Sequence, residues 1–423
     1  MSALVARIAP GMPRDRWHIR VPGSKSITNR ALLLAGVADG RSALHHPLIA
    51  DDTLVMAEAL RALGATVERG PGVWHVTGLG GPPRGDASVY CGMAGTVGRF
   101  LLPMLAAGEG TFTADAHDQL RRRPLGPVMA ALRAQGLETT QDSLPMTLHA
   151  HGLSGGEVEV DASVSSQFLS GLLLAAPFAA QTTTLQFGEL VSAPYLRLTL
   201  DVMNAFGVEP EIGEGQISVE PSSYTATVFE VEPDASTASY FLASAALTGT
   251  TVTLPGLRRE VTHQGDIELV DFLEQMGCTV VDGEALTLTG TERLRGVEVD
   301  MNKSSDVFMT LACVAPFAEG PTTIGGIGHA RVKESDRIAA CVENLRRLRV
   351  EVEEGQDWVR IHPGTPQTAL LPTYDDHRIA MAFSLIGTHV PVQLEDPAVV
   401  GKTCPEFFEL WGETGADVLM QDL

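Results

Sequence analysis

A stretch of helical spacing, then a glycine, then residues of extended character returns six times along this chain, and a period of that length leaves few folds open. The first copy is ALRALGATVE from Ala59. It comes back as ALRAQGLETT at Ala131, VMNAFGVEPE at Val202, FLEQMGCTVV at Phe272, NLRRLRVEVE at Asn344 and, more loosely, ELWGETGADV at Glu409. The anchors Gly64, Gly136, Gly207, Gly277, Arg349 and Gly415 are spaced by 72, 71, 70, 72 and 66 residues. Glycine suits a helix exit because the residue after the last turn commonly adopts the left-handed conformation, which a side chain disfavours. Arg349 should therefore be the one strained or differently built exit.

Each copy also carries an earlier helix pattern leading to a short strand: ALLLAGVADG, LLPMLAAGEG, LLLAAPFAAQ, FLASAALTGT, LACVAPFAEG and AMAFSLIGTH. These stretches are apolar on nearly every side, so they belong inside a lobe rather than on its surface. Six such units divide most simply into two lobes of three. The residues before Ser24 are left over and are expected to supply a strand to the lobe built by the last three units.

Composition narrows what such a fold does. The hydrophobic content of 44% is that of a globular protein, and no apolar run reaches the length a membrane span needs. The first twenty residues hold Arg7, Arg14, Arg16 and Arg20 but no apolar signal core, so a cytoplasmic protein is expected. Cys91, Cys278, Cys313, Cys341 and Cys404 are scattered, with no metal-binding or disulfide pattern. A net charge of −22 disfavours nucleic acid and anionic membranes, both of which are bound through basic surfaces. It leaves room for a small anion held by local positive charge. Lysine is scarce: Lys25, Lys303, Lys333 and Lys402 are the whole supply, and arginine provides the other 26 basic residues.

The polar motifs gather at the starts of the expected helices. First helices are placed at Ser24-Lys25-Ser26, Gly92 to Thr96, Ser163 to Gln167, Asp234-Ala235-Ser236, Ser304-Ser305-Asp306 and Asp375 to Arg378. Second helices are placed near Asp51-Asp52, Arg121 to Arg123, Ser192 to Tyr195, Gln264 to Asp266, Lys333-Glu334 and Lys402-Thr403. Helix starts present unpaired N–H groups and bind phosphate or carboxylate, although Ser, Thr and Asp there are often plain caps. Lysine opposes the helix dipole in a first turn unless an anion offsets it, so Lys25, Lys333 and Lys402 point to bound anions. Lys333 and Arg337, four apart, are expected to share a helix face beside Glu334. Gly401-Lys402-Thr403 ends like a phosphate-binding P-loop, but Asp396 stands where that motif needs glycine. The glycines from Gly78 to Gly85 do not form a dinucleotide fingerprint either.

Taken in order, PGSKSITNRALLLA from Pro22, AGT from Ala94, RPLGP from Arg123, SSQF from Ser165, SAPY from Ser192, DASTASYF from Asp234, RVKESDR from Arg331, DHRIAM from Asp376 and KTCPEFF from Lys402 span almost the whole chain. This set resembles the 5-enolpyruvylshikimate-3-phosphate synthase family. The resemblance implies an α/β protein of two lobes, each of three βαββαβ-type units, with the active site in the interlobe cleft. It places residues 1–22 and 234–423 in one lobe and 23–233 in the other. It implies transfer of the enolpyruvyl group of phosphoenolpyruvate to the 5-hydroxyl of shikimate 3-phosphate, through a tetrahedral intermediate, by a monomer that uses no metal and no cofactor.

Carried over residue by residue, the resemblance puts Lys25, Arg123, Arg337, Arg378 and Lys402 around phosphoenolpyruvate. Ser165, Ser166, Ser192 and Lys333 correspond to the clamp on the shikimate phosphate, and Ser26, Arg30, Gln167 and Tyr195 to contacts on its ring and carboxylate. Asp306 corresponds to the base for the 5-hydroxyl and also touches the ring. Glu334 with Lys25 correspond to the groups that move protons at the enol carbon and bridging oxygen, and His377 joins the catalytic set. Gly95 corresponds to the small pocket that glyphosate occupies. Met93 and His329 stand where many members have asparagine; His329 can still donate to substrate. The sister transferase acting on UDP-N-acetylglucosamine shares the six-unit fold but needs a reactive cysteine near Asp115, and no cysteine lies between Cys91 and Cys278. A six-repeat scaffold without activity would not need these charged helix starts, whereas a homologue that binds without turnover would keep them.

Overall fold

The computed structural model describes residues 4–12 and 14–422. All six anchors leave their helices with positive φ: 104° at Gly64, 98° at Gly136, 88° at Gly207, 114° at Gly277, 98° at Gly415 and 64° at Arg349. The geometry of the exit is thus common to the six repeats, and Arg349 adopts it despite its Cβ, at a cost of about 1 kcal/mol or more.

Contacts divide the chain into two compact units. One, the terminal unit, joins Met1–Pro22 to Pro233–Leu423, and the other, the inserted unit, is Gly23–Glu232. Each has its own apolar core.

Every repeat is built on the same sheet plan: a parallel pair followed by two antiparallel neighbours. In the third repeat Gly156–Glu159 lies parallel to Thr183–Gln186, then Gln216–Val219 and Glu211–Gly213 follow antiparallel. The fifth repeat does the same with Glu298–Asp300, Thr322–Gly325, Val359–Ile361 and Val352–Glu354. In the second repeat Ala87–Tyr90, Glu109–Asp115 and Met146–His151 form three strands, and the fourth is reduced to a single bridge, Glu138 to His149.

The remaining sheets borrow strands from elsewhere in the chain. Arg16–His18 precedes helix Lys25–Val37 in sequence but pairs parallel with Thr251–Pro255 of the fourth repeat. Conversely, Val228–Glu230 precedes helix Ala235–Thr248 but pairs parallel with Arg41–His45 of the first repeat. In the sixth repeat the position between Val392–Glu395 and Asp417–Asp422 is filled by Leu4–Ala9 from the N-terminal segment. The leftover N-terminal residues therefore complete two sheets of the terminal unit.

The first helices are buried as their composition requires. Lys25–Val37, Gly95–Ala106 and Ala235–Thr248 are enclosed on all sides, including Gly95 and Pro103. Second helices such as Arg337–Arg347 bury one stripe and leave charged residues outward. The five cysteines are buried free thiols.

Several expected helix starts are corrected. Helix Arg337–Arg347 is capped by Asp336, whose carboxylate accepts from the Ala339 N–H at 3.0 Å. Lys333 therefore sits in the preceding turn and shares no helix face with Arg337. Lys402 ends a short 3-10 turn, Pro397–Lys402, rather than opening helix Phe407–Glu413. Arg121 closes the four-residue helix Asp118–Arg121, and Arg123 lies in the turn before Gly126–Ala134. Ser304 to Asp306 form a turn ahead of Phe308–Val314. Of the three lysines, only Lys25 is in a first helical turn.

Candidate active site

In the inserted unit, side chains from the first turns of neighbouring helices bond to one another, which draws those helix starts together. The Asn29 amide donates to Thr96 Oγ1 at 2.8 Å, linking Lys25–Val37 to Gly95–Ala106. Arg99, one turn beyond Gly95, donates to Gln167 Oε1 at 2.9 Å and lies over the Phe168 ring, reaching helix Ser166–Ala175. Ser165 caps that helix by accepting from the Gln167 N–H. Ser166 is buried beside it, and Ser26 lies half-buried in the first turn of its own helix.

Lys25 is the first residue of its helix, and the carboxylate offsetting it is the protein's own: Nζ lies 3.4 Å from Asp52 Oδ2. Gly95 has a steric reason. An added Cβ there would lie 2.7 Å from Arg123 Nη1, so glycine is what lets the buried Arg123 guanidinium settle on this helix start. Ser192 holds φ at 52° just ahead of helix Pro194–Ala205, a strained conformation of the kind found where a side chain is aimed for a purpose.

Arg30 is held by the protein's own groups. It is wholly buried, donates to Thr199 Oγ1 at 2.8 Å, to the Ser26 carbonyl at 2.8 Å, to the Tyr195 carbonyl at 3.2 Å and to Ser170 Oγ at 3.3 Å, and rests on the Phe100 ring. Burial pulls its pKa down to about 10. It ties three helices together, and Tyr195 is bound to it through the backbone.

In the terminal unit the charged residues form one connected network. Arg337, buried, donates from Nη1 to Asp306 Oδ1 at 2.8 Å, from Nη2 to Glu334 Oε2 at 2.7 Å and from Nε to Asp376 Oδ2 at 2.8 Å. Arg378 donates to Asp306 Oδ2 at 2.8 Å, Lys333 Nζ lies 3.5 Å from Asp306 Oδ1, and Lys402 Nζ lies 3.1 Å from Glu334 Oε1. Asp376 also caps helix His377–Phe383 through the Arg378 N–H at 3.0 Å.

The electrostatics follow. Burial works against ionisation of Asp306, but Arg378, Lys333 and Arg337 together hold its carboxyl well below the usual range. Burial likewise opposes the charge on Arg337, and Asp376, Glu334 and Asp306 overcome it, raising its pKa above that of an ordinary arginine. His329 bonds through Nε2 to Ser305 Oγ at 2.7 Å, and burial with nearby Lys333 pulls it down to about 4, so it is neutral near pH 7. His377 is fully buried with Nδ1 3.6 Å from Asp376 Oδ1.

The structure thus groups Lys25, Ser26, Arg30, Gly95, Arg123, Ser165, Ser166, Gln167, Ser192 and Tyr195 in one unit, and Asp306, His329, Lys333, Glu334, Arg337, His377, Arg378 and Lys402 in the other. Motif reading passed over Arg99, Asp52 and Asp376 as site residues. The spacing Gly-Thr-x-x-Arg places Arg99 one turn from Gly95 and was the available signal; Asp52 and Asp376 read as simple caps. Among the described residues no cluster of three or more His, Cys, Asp or Glu is arranged to hold a metal ion, and no helix is long and apolar enough to cross a membrane.

Six copies of one small α/β unit, carrying helix starts and guanidinium groups suited to small anions, make this an enzyme of the six-repeat enolpyruvyl transferase fold. A solved EPSP synthase from Acinetobacter baumannii superposes with a TM-score of 0.84, at 25% identity, over 99% of this chain and 100% of that one. The model of the EPSP synthase (3-phosphoshikimate 1-carboxyvinyltransferase) family matches residues 16–411, and the chain belongs to that family. Among its relatives, a 3-phosphoshikimate 1-carboxyvinyltransferase 2 of Halalkalibacterium halodurans is 41% identical, covering 95% of this chain and 93% of its own length. A 3-phosphoshikimate 1-carboxyvinyltransferase of Edwardsiella ictaluri is 43% identical over 93% of this chain and 95% of its own. The family's reaction moves the enolpyruvyl group of phosphoenolpyruvate to the 5-hydroxyl of shikimate 3-phosphate and releases phosphate.

Proposed function

We propose that this chain performs that transfer with Asp306 as a base switched on by substrate. The observation behind this is the threefold hold on Asp306 by Arg337, Arg378 and Lys333. While those cations sit on it, Asp306 is too weakly basic to take a hydroxyl proton. Phosphate and carboxylate groups compete for the same cations, and each one drawn away raises the proton affinity of Asp306. Full binding of both anionic substrates is then the condition for deprotonation.

In this reading Asp306 takes the proton of the 5-hydroxyl as its oxygen attacks C2 of phosphoenolpyruvate, while Lys25 or Glu334 delivers a proton to C3. Loss of a C3 proton from the tetrahedral intermediate then expels phosphate and restores the double bond. Lys25, Arg123, Arg337, Arg378 and Lys402 neutralise the charge that builds on the departing phosphate. Ser165, Ser166, Ser192 and Lys333 hold the shikimate phosphate, and Ser26, Gln167, Tyr195 and His329 the ring. Arg30 and Arg99 fix the helix starts, and His377, having no exposed surface, acts by steadying Asp376. The enzyme is read as a cytoplasmic monomer without nucleic-acid partners, metal or cofactor.

Phosphate release is measured with phosphoenolpyruvate plus shikimate 3-phosphate, beside a Lys25→Met variant and a parallel reaction with UDP-N-acetylglucosamine. Release with the shikimate substrate alone, lost in the variant, is expected. Release with neither acceptor would mean that the anion sites serve binding only.

A further inference from the structure

A turn bonded to the segment that carries Asp306 holds a buried carboxyl group that the reaction scheme leaves unused. Asp266 belongs to the 3-10 turn Gly265–Glu268 and is 3% exposed. That turn is clamped on two sides. Towards helix Ala235–Thr248, Ser236 Oγ donates to Asp266 Oδ2, the Gln264 side chain accepts from the Ala235 N–H at 3.1 Å, and the Gln264 amide donates to the Pro233 carbonyl at 2.8 Å. Towards the turn that carries Asp306, Glu268 Oε2 accepts from Ser304 Oγ at 3.1 Å. Asp266 is therefore fixed between a helix start and the segment bearing the proposed base.

We propose that Asp266 is a positioning residue for the transfer: its carboxylate charge, held in place by Ser236, balances the pull of Arg378 on Asp306 and so keeps Asp306 basic enough to work. This rests on the reading of Asp306 as the base. The charges around Asp266 support it: Asp234 caps the neighbouring helix, Asp306 and Arg378 act on Asp266 through space, Lys303 adjoins Ser304, and Glu268 and Asp271 follow along the chain, with Asp271 paired to Arg259. Burial first, then Asp306, push Asp266 up to about 6, against the opposing effects of Arg378 and the Ser236 hydroxyl.

The sign of the pH effect follows. Above about pH 6 Asp266 is charged, repels a second negative charge and raises the proton affinity of Asp306. Below it Asp266 gains a proton, Arg378 acts on Asp306 without counterweight, and turnover falls. Asp266→Asn copies the protonated form and still accepts from Ser236.

The test is kcat between pH 5.5 and 8.5 for wild type and Asp266→Asn. The substrate phosphates also titrate near pH 6, but equally for both enzymes, so they cancel in the ratio. The expected result is a kcat lowered on the order of tenfold above pH 7, KM for phosphoenolpyruvate within about twofold, and a ratio that closes towards one as pH falls. Ser236→Ala, which removes a bond favouring the charged form, should move the acid limb of the full enzyme upward by about half a pH unit. A pH-independent ratio, or an unmoved limb in Ser236→Ala, overturns the proposal. Asp306→Asn separates the two ideas: if it keeps full turnover the base assignment itself fails, whereas an inactive Asp306→Asn beside a flat ratio removes the role of Asp266 alone.

Discussion

Arg337 is the residue whose loss should be felt most in the terminal unit. Its guanidinium spans three carboxylates, on Asp306, Glu334 and Asp376, all little exposed. Arg337→Met is close in volume but removes the positive charge, leaving those carboxylates to share Arg378, Lys333 and Lys402. Breaking one buried ion pair by deleting a partner costs about 3–5 kcal/mol, because the abandoned charge stays out of water. For a unit of roughly two hundred residues, at about 2–4 °C per kcal/mol, melting should fall by on the order of 10 °C. The pH dependence has a definite sign. In the wild type the depressed Asp306 contributes stability that is present above the unfolded carboxylate pKa and lost as pH drops through its lower folded value. In the variant the abandoned carboxylates are raised instead and relieve their strain by taking up protons. Both effects make the difference between the proteins shrink on acidification. Urea unfolding of the ligand-free proteins at pH 7.5, 6 and 5 reads it directly. A loss under about 1 kcal/mol at pH 7.5, or a gap that widens as pH falls, would refute the account of Arg337 as the hub of the network.

Two further outcomes are expected. Arg349→Gly gives the fifth repeat the residue its five counterparts carry, and relief of the positive φ should outweigh the added unfolded-state entropy by about 0.5 kcal/mol; a destabilised variant in urea unfolding would contradict the strain assigned there. Gly95→Ala brings a methyl group against Arg123, so KM for phosphoenolpyruvate should rise on the order of tenfold or more while that for shikimate 3-phosphate moves little, and equal changes in both would argue against Arg123 as a phosphoenolpyruvate contact.

Much of this architecture was legible from local signals. Helix exits depend on one residue's backbone freedom, so five glycines and one arginine at a steady period reported six copies of a unit, and the same positive φ recurs at all six. Stretches apolar on every side could only be buried helices, and Lys25 at a first helical position asked for an anion, which Asp52 supplies. These features rest on residues within a turn or two of each other. Tertiary structure decided what depends on distant partners. Arg16–His18 and Val228–Glu230 each pair with a strand far along the chain, and no periodicity marks that exchange. That Arg30 bonds to Thr199, Ser170 and the Tyr195 carbonyl, on helices far along the chain, could not be read from its own motif. Lys333 and Arg337 meet at Asp306 not along a helix face but because an Asp336 cap starts the helix late and turns the chain. Propensity and periodicity act through bonds near in sequence, whereas ion pairing, burial and the resulting proton affinities act through space and exist only once the chain has folded.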